Sequence, residues 1–437
     1  MFTRVKLKNF KCFQDTDVIF RNRRGTIKSR IILTGSNGSG KSSFITSFVF
    51  LKNLFDGYYI SEIDLSKRRH NTGYLKPELS CPTLFRQIKP ALTTGTTEAL
   101  YEFSLNNIEF GYKIEFSLTG NLIFEHLYRI RSGNEVTIFK ANLNKKEFHH
   151  DFFKEPIKEE LTELALDIWG EYSLLGIVGY YFYQNIELFK EKIFHHRVYE
   201  VAYFLNHLQI ESLEEGFKQY QRLNLLHGTN FHPFKGTISI NGDERDYFNL
   251  IQPVLKEVLC WLIPSITDLD YEFIKQEEEQ AYQLYIWQKT SLGEIKMSIS
   301  DASRGVRQLV RLCHLIFEGF QGFPIIMDDF DFGLHFFVKK EIYNLSLLGG
   351  LAQTIVTMHS TSVFEQVNSS AIYLARYENE TYGITNLDDI LPTQANHNNR
   401  VRYERGLFGK PEQNLNLRFG LLMREVAKQI KEKFYQL

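Results

Sequence analysis

The amino-acid sequence predicts an α/β fold: a mixed sheet that carries a glycine-rich loop, an antiparallel β-meander beside it, and a helical lobe inserted between the two halves. Three observations support this prediction. A glycine-rich turn stands between a short apolar strand and a helix at residues 30–51. Residues 100–130 alternate between apolar and polar side chains, whereas residues 150–260 repeat with a helical period. A second apolar strand, at 323–327, ends in two carboxylates.

Composition restricts the class of protein. The chain has 437 residues, of which 43% are hydrophobic and 24% charged, with a formal net charge of -1. These values are ordinary for a folded globular protein, so any contact with nucleic acid must come from local basic patches. The four cysteines have no paired spacing, which argues against a zinc site or a disulfide framework and fits a reducing cytoplasm.

Targeting signals are absent from the sequence. The first residues lack the apolar segment of a signal peptide, and the uncharged stretch 342–364 contains too many polar residues to span a membrane. We therefore expect a cytoplasmic protein without a membrane partner.

The chain begins with two strands and a basic connection. Residues 4–20 alternate with period two and predict a hairpin. The connection that follows is either a solvated turn or a contact with a phosphate backbone, because it carries Arg21, Arg23, Arg24, Lys28 and Arg30. Residues 56–98 are polar, and we expect irregular structure there, including a second basic run at 67–70.

Residues 35–42 fit the phosphate-loop pattern G-x-x-x-x-G-K-[ST] at every defined position. Glycines permit positive φ, so the N–H groups of the loop can point at a polyphosphate. Lys41 reaches the β- and γ-phosphates and is expected to face solvent when the loop is empty, and Ser42 places its hydroxyl on Mg²⁺. A surface Gly/Ser loop is the alternative. The predicted binding residues are Gly35, Ser36, Asn37, Gly38, Ser39, Gly40, Lys41, Ser42 and Ser43.

The middle of the chain changes its period twice. An antiparallel meander is predicted from residue 100, with turns at 106–107 and 120–121. Amphipathic segments near 154–169, 185–208, 211–226 and 246–262 predict short helices, and none sustains the heptads of a coiled-coil arm. A second β stretch is expected at 270–287 and 294–299.

Three further motifs follow. Asp328 would hold Mg²⁺, directly or through water, and Asp329 would polarise the attacking water. His359, at the end of a β-branched strand, can hydrogen-bond the γ-phosphate. Ser303 and Gly305 enter a helix whose N–H groups could bind a phosphate. Each motif has a structural alternative: the carboxylates could cap a helix, the His could be structural, and the Ser-x-Gly turn could be an ordinary N-cap. The order of the motifs along the chain favours a single nucleotide site instead.

In this order the motifs resemble those of ABC-type ATPase heads of the RecF, SMC and OLD group, in which two heads hold ATP between the phosphate loop of one and the signature Ser of the other. Residues 8–13 are similar to the "NFK-x-F" strand of RecF-like heads, and residues 328–335 to the "DE-x-x-x-x-LH" run of OLD-type ATPases. Residues 401–411 resemble the tail of stand-alone ATPases encoded beside a TOPRIM-type nuclease in antiphage systems such as PARIS.

The resemblance implies an ABC-type head that binds ATP and Mg²⁺, with Asp329 and His359 catalytic and with Ser303 and Gly305 contributed across a homo-oligomer. It implies two halves of the head at 1–150 and 266–437, with a helical insertion at 151–265. The implied function is an ATPase that acts as sensor and scaffold in antiphage defence and controls a separate TOPRIM-type nuclease, with a phage protein as a possible trigger.

Two alternatives stay open: a RecF-like DNA-repair ATPase, for which DNA would be a partner, and a nucleotide-binding scaffold without hydrolysis. The sequence departs from the family in two places. Asp329 stands where Glu is usual, so hydrolysis is expected to be slow, and Gln87 is only a candidate for the Q-loop.

Overall fold

The computed structural model describes residues 1–68, 79–90, 95–150, 153–155, 158–184, 196–211, 223–224, 230–231, 233–239, 244–275, 279–320, 322–330, 352–359, 365, 367–390 and 399–404. Its strands are β1 (Phe2–Phe10), β2 (Phe13–Ile19), β3 (Arg30–Thr34), β4 (Thr97–Leu105), β5 (Ile108–Phe116), β6 (Leu122–Arg131), β7 (Asn134–Asn142), β8 (Glu147–His150), β9 (Gln209–Glu211), β10 (Leu223–Asn224), β11 (Asn230–Phe231), β12 (Lys235–Ser239), β13 (Ile266–Lys275), β14 (Glu279–Thr290), β15 (Gly293–Ser298), β16 (Ile325–Met327), β17 (Thr354–Thr357), β18 (Ile372–Glu378) and β19 (Thr381–Asn386).

Its helices are α1 (Lys41–Arg68), α2 (Cys81–Ile88), α3 (Lys158–Ile168), α4 (Leu174–Gln184), α5 (His196–Asn206), α6 (Glu244–Leu262), α7 (Arg304–Phe320), α8 (Leu387–Ile390) and α9 (Asn399–Glu404). Of the helices in the described ranges, none combines the length and the apolar character that crossing a membrane would require.

A six-stranded sheet forms the centre, in the order β19-β18-β3-β17-β16-β9. All its pairings are parallel except that of the edge strand β19. Strands of a parallel sheet are covered on both faces and read as continuous apolar runs, which explains Ile31–Leu33 and Ile325–Met327. Ile326 packs in a cluster with α1, whereas its neighbour Met327 packs in a second cluster with α6 and α7. The carboxyl ends of five strands therefore meet at one edge.

A seven-stranded antiparallel sheet, β2-β1-β4-β5-β6-β7-β8, lies beside it. The predicted hairpin and meander are confirmed, and they form one sheet because β1 pairs with β4. Tyr101 and Gln353 are two of the side chains that attach this sheet to the rest of the protein. The Tyr101 hydroxyl donates to Ser47 O in α1 at 2.5 Å, and Gln353, before β17, bonds both backbone groups of Phe2 at 2.6 and 2.8 Å.

A four-stranded antiparallel sheet, β12-β14-β13 with β15 paired to β14, is covered by α6. The predicted second β stretch is confirmed, and its first strand begins at Ile266. The chain leaves β15 through a 3-10 turn, Ile299–Asp301, and enters α7. This sheet therefore supports the segment that contains Ser303.

The prediction of irregular structure at 56–98 is wrong for the described residues, because α1 continues to Arg68, α2 follows, and β4 begins at Thr97. The extension of α1 is stabilised by α4, which packs along it. A Cβ atom at Gly179 would lie 2.0 Å from Phe55 O, so the two helices approach closely. This contact could not be predicted because α4 is apolar on nearly all sides and shows no amphipathic period.

The stretch 151–265 differs from the expected insertion. It contains α3 to α6, but it also contributes β9 to the central sheet and β12 to the four-stranded sheet. Most of the helix expected at 211–226 lies outside the described residues, and β10 occupies 223–224. Both partner strands, β16 and β14, lie in the C-terminal half of the chain, so sheet pairing joins this stretch to that half.

Glu125 in β6 fixes the beginning of α4. Its buried carboxylate accepts hydrogen bonds from Leu174 N at 2.8 Å, Leu175 N at 3.0 Å, Trp169 Nε1 at 3.1 Å and the Tyr112 hydroxyl at 2.9 Å. Burial raises the pKa of Glu125 to about 7. Because the first N–H groups of a helix lack intrahelical partners, this carboxylate acts as the cap of α4 and ties it to the meander.

Candidate functional site

The glycine-rich loop connects β3 to α1 at the carboxyl edge of the central sheet. Gly35, Gly38 and Gly40 have φ of 149°, 74° and 99°, in the region that favours glycine. A Cβ atom at Gly35 would lie 2.1 Å from Ala375 O, and one at Gly40 would lie 3.0 Å from the Phe13 ring. Packing against β18 therefore excludes a side chain at Gly35, and packing against β2 leaves little room for one at Gly40.

The polar residues of the loop are unevenly covered. Asn37 is exposed, whereas Ser36, Ser42 and Ser43 are partly buried. Ser39 is buried, and its hydroxyl has no hydrogen-bond partner among the described residues. A buried hydroxyl without a partner costs free energy, so this oxygen is suited to a ligand atom in the loop.

Lys41 is 5% exposed, and its Nζ donates to Gly35 O and Ser36 O, both at 2.8 Å. The prediction that Lys41 faces solvent is wrong. A buried ammonium needs acceptors, and the carbonyl groups of its own loop supply them. The cation is therefore held in the loop, beside the N–H groups that the motif directs at a polyphosphate.

Asp328 follows β16 and is buried. Its Oδ1 accepts a hydrogen bond of 2.5 Å from the Thr357 hydroxyl, and Thr357 is the register partner of Leu33 in β3. Neighbouring strands are about 4.8 Å apart, so β16 lies about 10 Å from β3, with β17 between them. Thr357 was not singled out in the sequence, although it ends the same β-branched strand as His359.

Asp329 and His359 meet directly, with 2.9 Å between His359 Nε2 and Asp329 Oδ1. The Asp329 N–H donates to the Thr357 hydroxyl at 2.7 Å. Asp329 has φ of 50°, a left-handed conformation that costs a non-glycine residue about 1 kcal/mol or more. The two residues predicted to be catalytic are therefore one hydrogen-bonded pair.

Ser303 is exposed and immediately precedes α7, and Gly305 lies in its first turn. The Ser303 carbonyl accepts from Arg307 N at 3.1 Å, while its hydroxyl is 3.4 Å from Val306 N. Arg307 Nη1 also donates to Ser300 O at 3.0 Å. The entry of α7 is therefore held by its own backbone, with the Ser303 side chain at the surface.

Glu211 is a residue of this edge that the sequence did not indicate. It ends β9, and Asp328 N donates to its carbonyl at 2.8 Å. Burial raises the pKa of Glu211, and the Arg311 guanidinium partly offsets this. Gln87, the Q-loop candidate, lies in α2, and its Oε1 is buried without a described partner. Residues 331–351, including Asp331 and His335, lie outside the described residues.

The first basic connection is largely engaged within the chain. Arg21 pairs with Glu109, and Lys28 donates to the Tyr373 hydroxyl at 3.0 Å. Burial lowers the pKa of Lys28. Arg21 and Lys28 are therefore engaged within the protein, which argues against a contact of these two residues with a phosphate backbone. Arg24 stays exposed.

The residues at this edge fit a nucleoside triphosphate with Mg²⁺. The glycine loop offers N–H groups, the Lys41 ammonium and the unpartnered Ser39 hydroxyl to phosphate oxygens. Ser42 and Asp328 are both oxygen ligands, and Mg²⁺ is commonly held by one or two protein oxygens together with substrate phosphates and water. Among the described residues there is no cluster of three or more acidic, His or Cys side chains that would form an all-protein metal site.

No protein-family model and no curated protein matches the chain. Three similar solved structures each cover 88% of it: an Smc head bound to the C-winged helix domain of ScpA (12% identity, 96% of that chain, TM-score 0.45), the SMC head domain from Thermotoga maritima (16%, 98%, 0.35), and an Smc head domain with an extended coiled coil bound to the C-terminal domain of ScpA derived from Pyrococcus furiosus (13%, 95%, 0.42).

The strand order agrees with the predicted architecture. The glycine loop follows β3, two carboxylates follow β16, β17 lies between these strands, and an antiparallel meander flanks the sheet. The predicted fold class, an ABC-type P-loop ATPase head with a mixed sheet and a meander, is confirmed.

Proposed function

We propose that this chain binds ATP with Mg²⁺ at the glycine loop and hydrolyses it. The observation that carries the proposal is the loop itself, which combines three glycines at positive φ, the Lys41 ammonium held by the Gly35 and Ser36 carbonyls, and a buried Ser39 hydroxyl without a described partner. When bound, Mg²⁺ would neutralise charge on the transferred phosphoryl group. Ser42 and Asp328 would hold it.

The other residues of the site then have defined tasks. Thr357 holds the Asp328 carboxylate and the Asp329 backbone in place. The Asp329 carboxylate, oriented by His359, accepts a hydrogen bond from the attacking water and aligns it, provided that the water lies within about 2.6–3.2 Å. His359 in turn would contact the γ-phosphate, so its bond to Asp329 would report whether that phosphate is present.

Lys41→Ala tests this assignment, with Lys145→Ala as the matched control because Lys145 is exposed on the meander. We expect Lys41→Ala to abolish ATP binding and turnover in the presence of Mg²⁺, and the control to keep both. Because Lys41 is buried, circular dichroism and thermal unfolding must accompany the assay. Wild-type ATP affinity in folded Lys41→Ala protein would refute the site.

We propose further that a second copy of the chain completes the site through Ser303 and Gly305. The exposure of Ser303 directly before α7, where a second copy can reach it, supports this arrangement. Ser303→Arg would leave ATP binding to one head intact and block turnover by obstructing the γ-phosphate of the partner. The measurement is turnover per chain against protein concentration. A constant rate down to a demonstrated monomer would rule out a composite site.

At the level of biology, we propose an ATP-dependent sensor and scaffold of antiphage defence that controls a separate TOPRIM-type nuclease. The support is the resemblance of residues 401–411 to the tail of such ATPases, together with that of residues 328–335 to OLD-type ATPases. Plaque counts on cells carrying the gene with its neighbours, in wild-type and Lys41→Ala forms, test it. A neighbourhood without a TOPRIM gene, or equal plaque counts, would refute this role without affecting the ATPase assignment.

A further inference from the structure

Two carboxylates end neighbouring strands of the central sheet on opposite faces. Glu211 is the register partner of Met327, so their side chains share a face, and Met327 packs in the cluster that contains α6 and α7. Asp328, one residue later, follows the alternation to the opposite face, where Thr357 bonds it. Glu211 therefore faces α7, whereas Asp328 faces the side of α1 and the glycine loop.

The carboxylate of Glu211 is incompletely paired. It is 5% exposed, and none of the described donors forms a hydrogen bond with its Oε1. Among the described residues, its cation partner is Arg311 in α7, whose Nη1 lies 3.6 Å away. The Arg311 guanidinium lies over the Phe234 ring, and its buried Nε has no described hydrogen-bond partner. An approach of about 0.7 Å would bring the two groups to the usual hydrogen-bond distance of about 2.9 Å. A buried, partly unsatisfied carboxylate is costly, so the pair gains free energy if α7 moves toward β9.

Both members of this pair are joined to the candidate site. The Glu211 carbonyl accepts the Asp328 N–H at 2.8 Å, so the end of β9 fixes the peptide that carries Asp328. Arg311 lies on the helix that begins directly after Ser303, and Arg307 bonds that entry to Ser300. A displacement at the Ser303 end of α7 therefore reaches Asp328 through one ion pair and one backbone hydrogen bond.

We propose that Glu211 and Arg311 are positioning residues that couple α7 to the nucleotide site. Their ion pair closes when the Ser303 end of α7 engages nucleotide bound to a second copy of the chain, and closure adjusts the peptide between Met327 and Asp329 for hydrolysis. This inference rests on the proposed function. It concerns the rate of hydrolysis after assembly, since neither side chain faces the glycine loop.

Glu211→Gln and Arg311→Met test the coupling, because they remove one charge each while keeping the length of the side chain or its apolar stem. Glu257→Gln, on the exposed side of α6, is the matched control. We expect the ATP affinity of each variant to stay within twofold of wild type. Turnover at saturating ATP should fall about tenfold, which is the lower end of the effect seen when residues that orient metal ligands are replaced. The double variant should be no slower than the slower single variant, because either change opens the same pair.

Three outcomes would overturn the inference. The first is wild-type turnover in Glu211→Gln together with a lower unfolding temperature, which is the result expected of a purely structural role. The others are a loss of ATP affinity equal to the loss of turnover, and a double variant whose fold-loss in turnover is the product of the two single losses. Arg311 is only partly buried, so Arg311→Met supplies the test if Glu211→Gln does not fold. If the wild type binds no ATP, both the proposed function and this inference fail. If Lys41→Ala is inactive and Glu211→Gln is not, this inference alone fails.

Discussion

Replacing Thr357 by Val perturbs the site at one atom. Thr357 is fully buried at the end of β17, and its hydroxyl bonds Asp328 Oδ1 at 2.5 Å and accepts from Asp329 N at 2.7 Å. Valine has nearly the same shape, so packing is kept while both hydrogen bonds are lost. The change leaves a buried carboxylate oxygen and a backbone N–H without these partners.

The expected cost follows from the two bonds. A hydrogen bond to a charged group contributes roughly 1.5–3 kcal/mol, and leaving a buried donor unpaired costs roughly 1–3 kcal/mol. The lower end of the sum of these two ranges predicts that Thr357→Val lowers the free energy of unfolding by about 3 kcal/mol. Turnover should fall by about 10- to 100-fold because Thr357 orients both Asp328 and Asp329.

Thr354→Val in the same strand is the control, since the buried Thr354 hydroxyl has no partner among the described residues. Its removal should be neutral or slightly stabilising and should leave turnover unchanged. Urea unfolding and ATP turnover are measured on both variants. Equal stability of the two variants, or full turnover in Thr357→Val, would refute the account of how the carboxylates are held.

Three other substitutions extend the test. Gly35→Ala places a Cβ atom 2.1 Å from Ala375 O at φ 149°, so we expect the free energy of unfolding to fall by about 2 kcal/mol or more. The control Gly383→Ala has open space around the new Cβ atom and should be neutral. Equal melting temperatures of the two variants would contradict this prediction. Glu125→Gln turns one accepting oxygen into a donor that faces other donors, so the free energy of unfolding in urea should fall by about 3 kcal/mol. An unchanged midpoint would mean that Glu125 does not hold α4. Ser39→Ala should weaken ATP binding about fivefold without changing the stability of the nucleotide-free protein. Equal affinity in titration calorimetry would remove Ser39 from the site.

The sequence predicted those parts of the fold that local pattern determines. The glycine loop was predictable because only glycine fits its φ angles, and β16 and the meander were predictable from their apolar runs and alternation. The extension of α1 was not predictable from the sequence, because it is stabilised by α4, which lies more than a hundred residues later in the chain. Tertiary contact overrode a polar local pattern there.

The candidate site was predicted as a set of residues but not as a set of contacts. Asp329 and His359 are 30 residues apart, and only the parallel pairing of β16 with β17 brings them together. Glu211 lies in a three-residue strand within a region expected to be helical. Such a strand is defined by its partner β16 rather than by its own residues, so no local signal indicated it.

The central claim is that this chain hydrolyses ATP with Asp329 aligning the water. Single-turnover hydrolysis, with wild-type or Asp329→Asn protein in excess over labelled ATP and Mg²⁺, tests it most directly. We predict that both proteins bind the ATP, that the wild type converts it slowly to ADP, and that Asp329→Asn is slower by about 100-fold because a positioned carboxylate contributes at least that factor. Equal rates would show that Asp329 is not the aligning group, and bound ATP that the wild type never cleaves would show a nucleotide-binding scaffold in place of an ATPase.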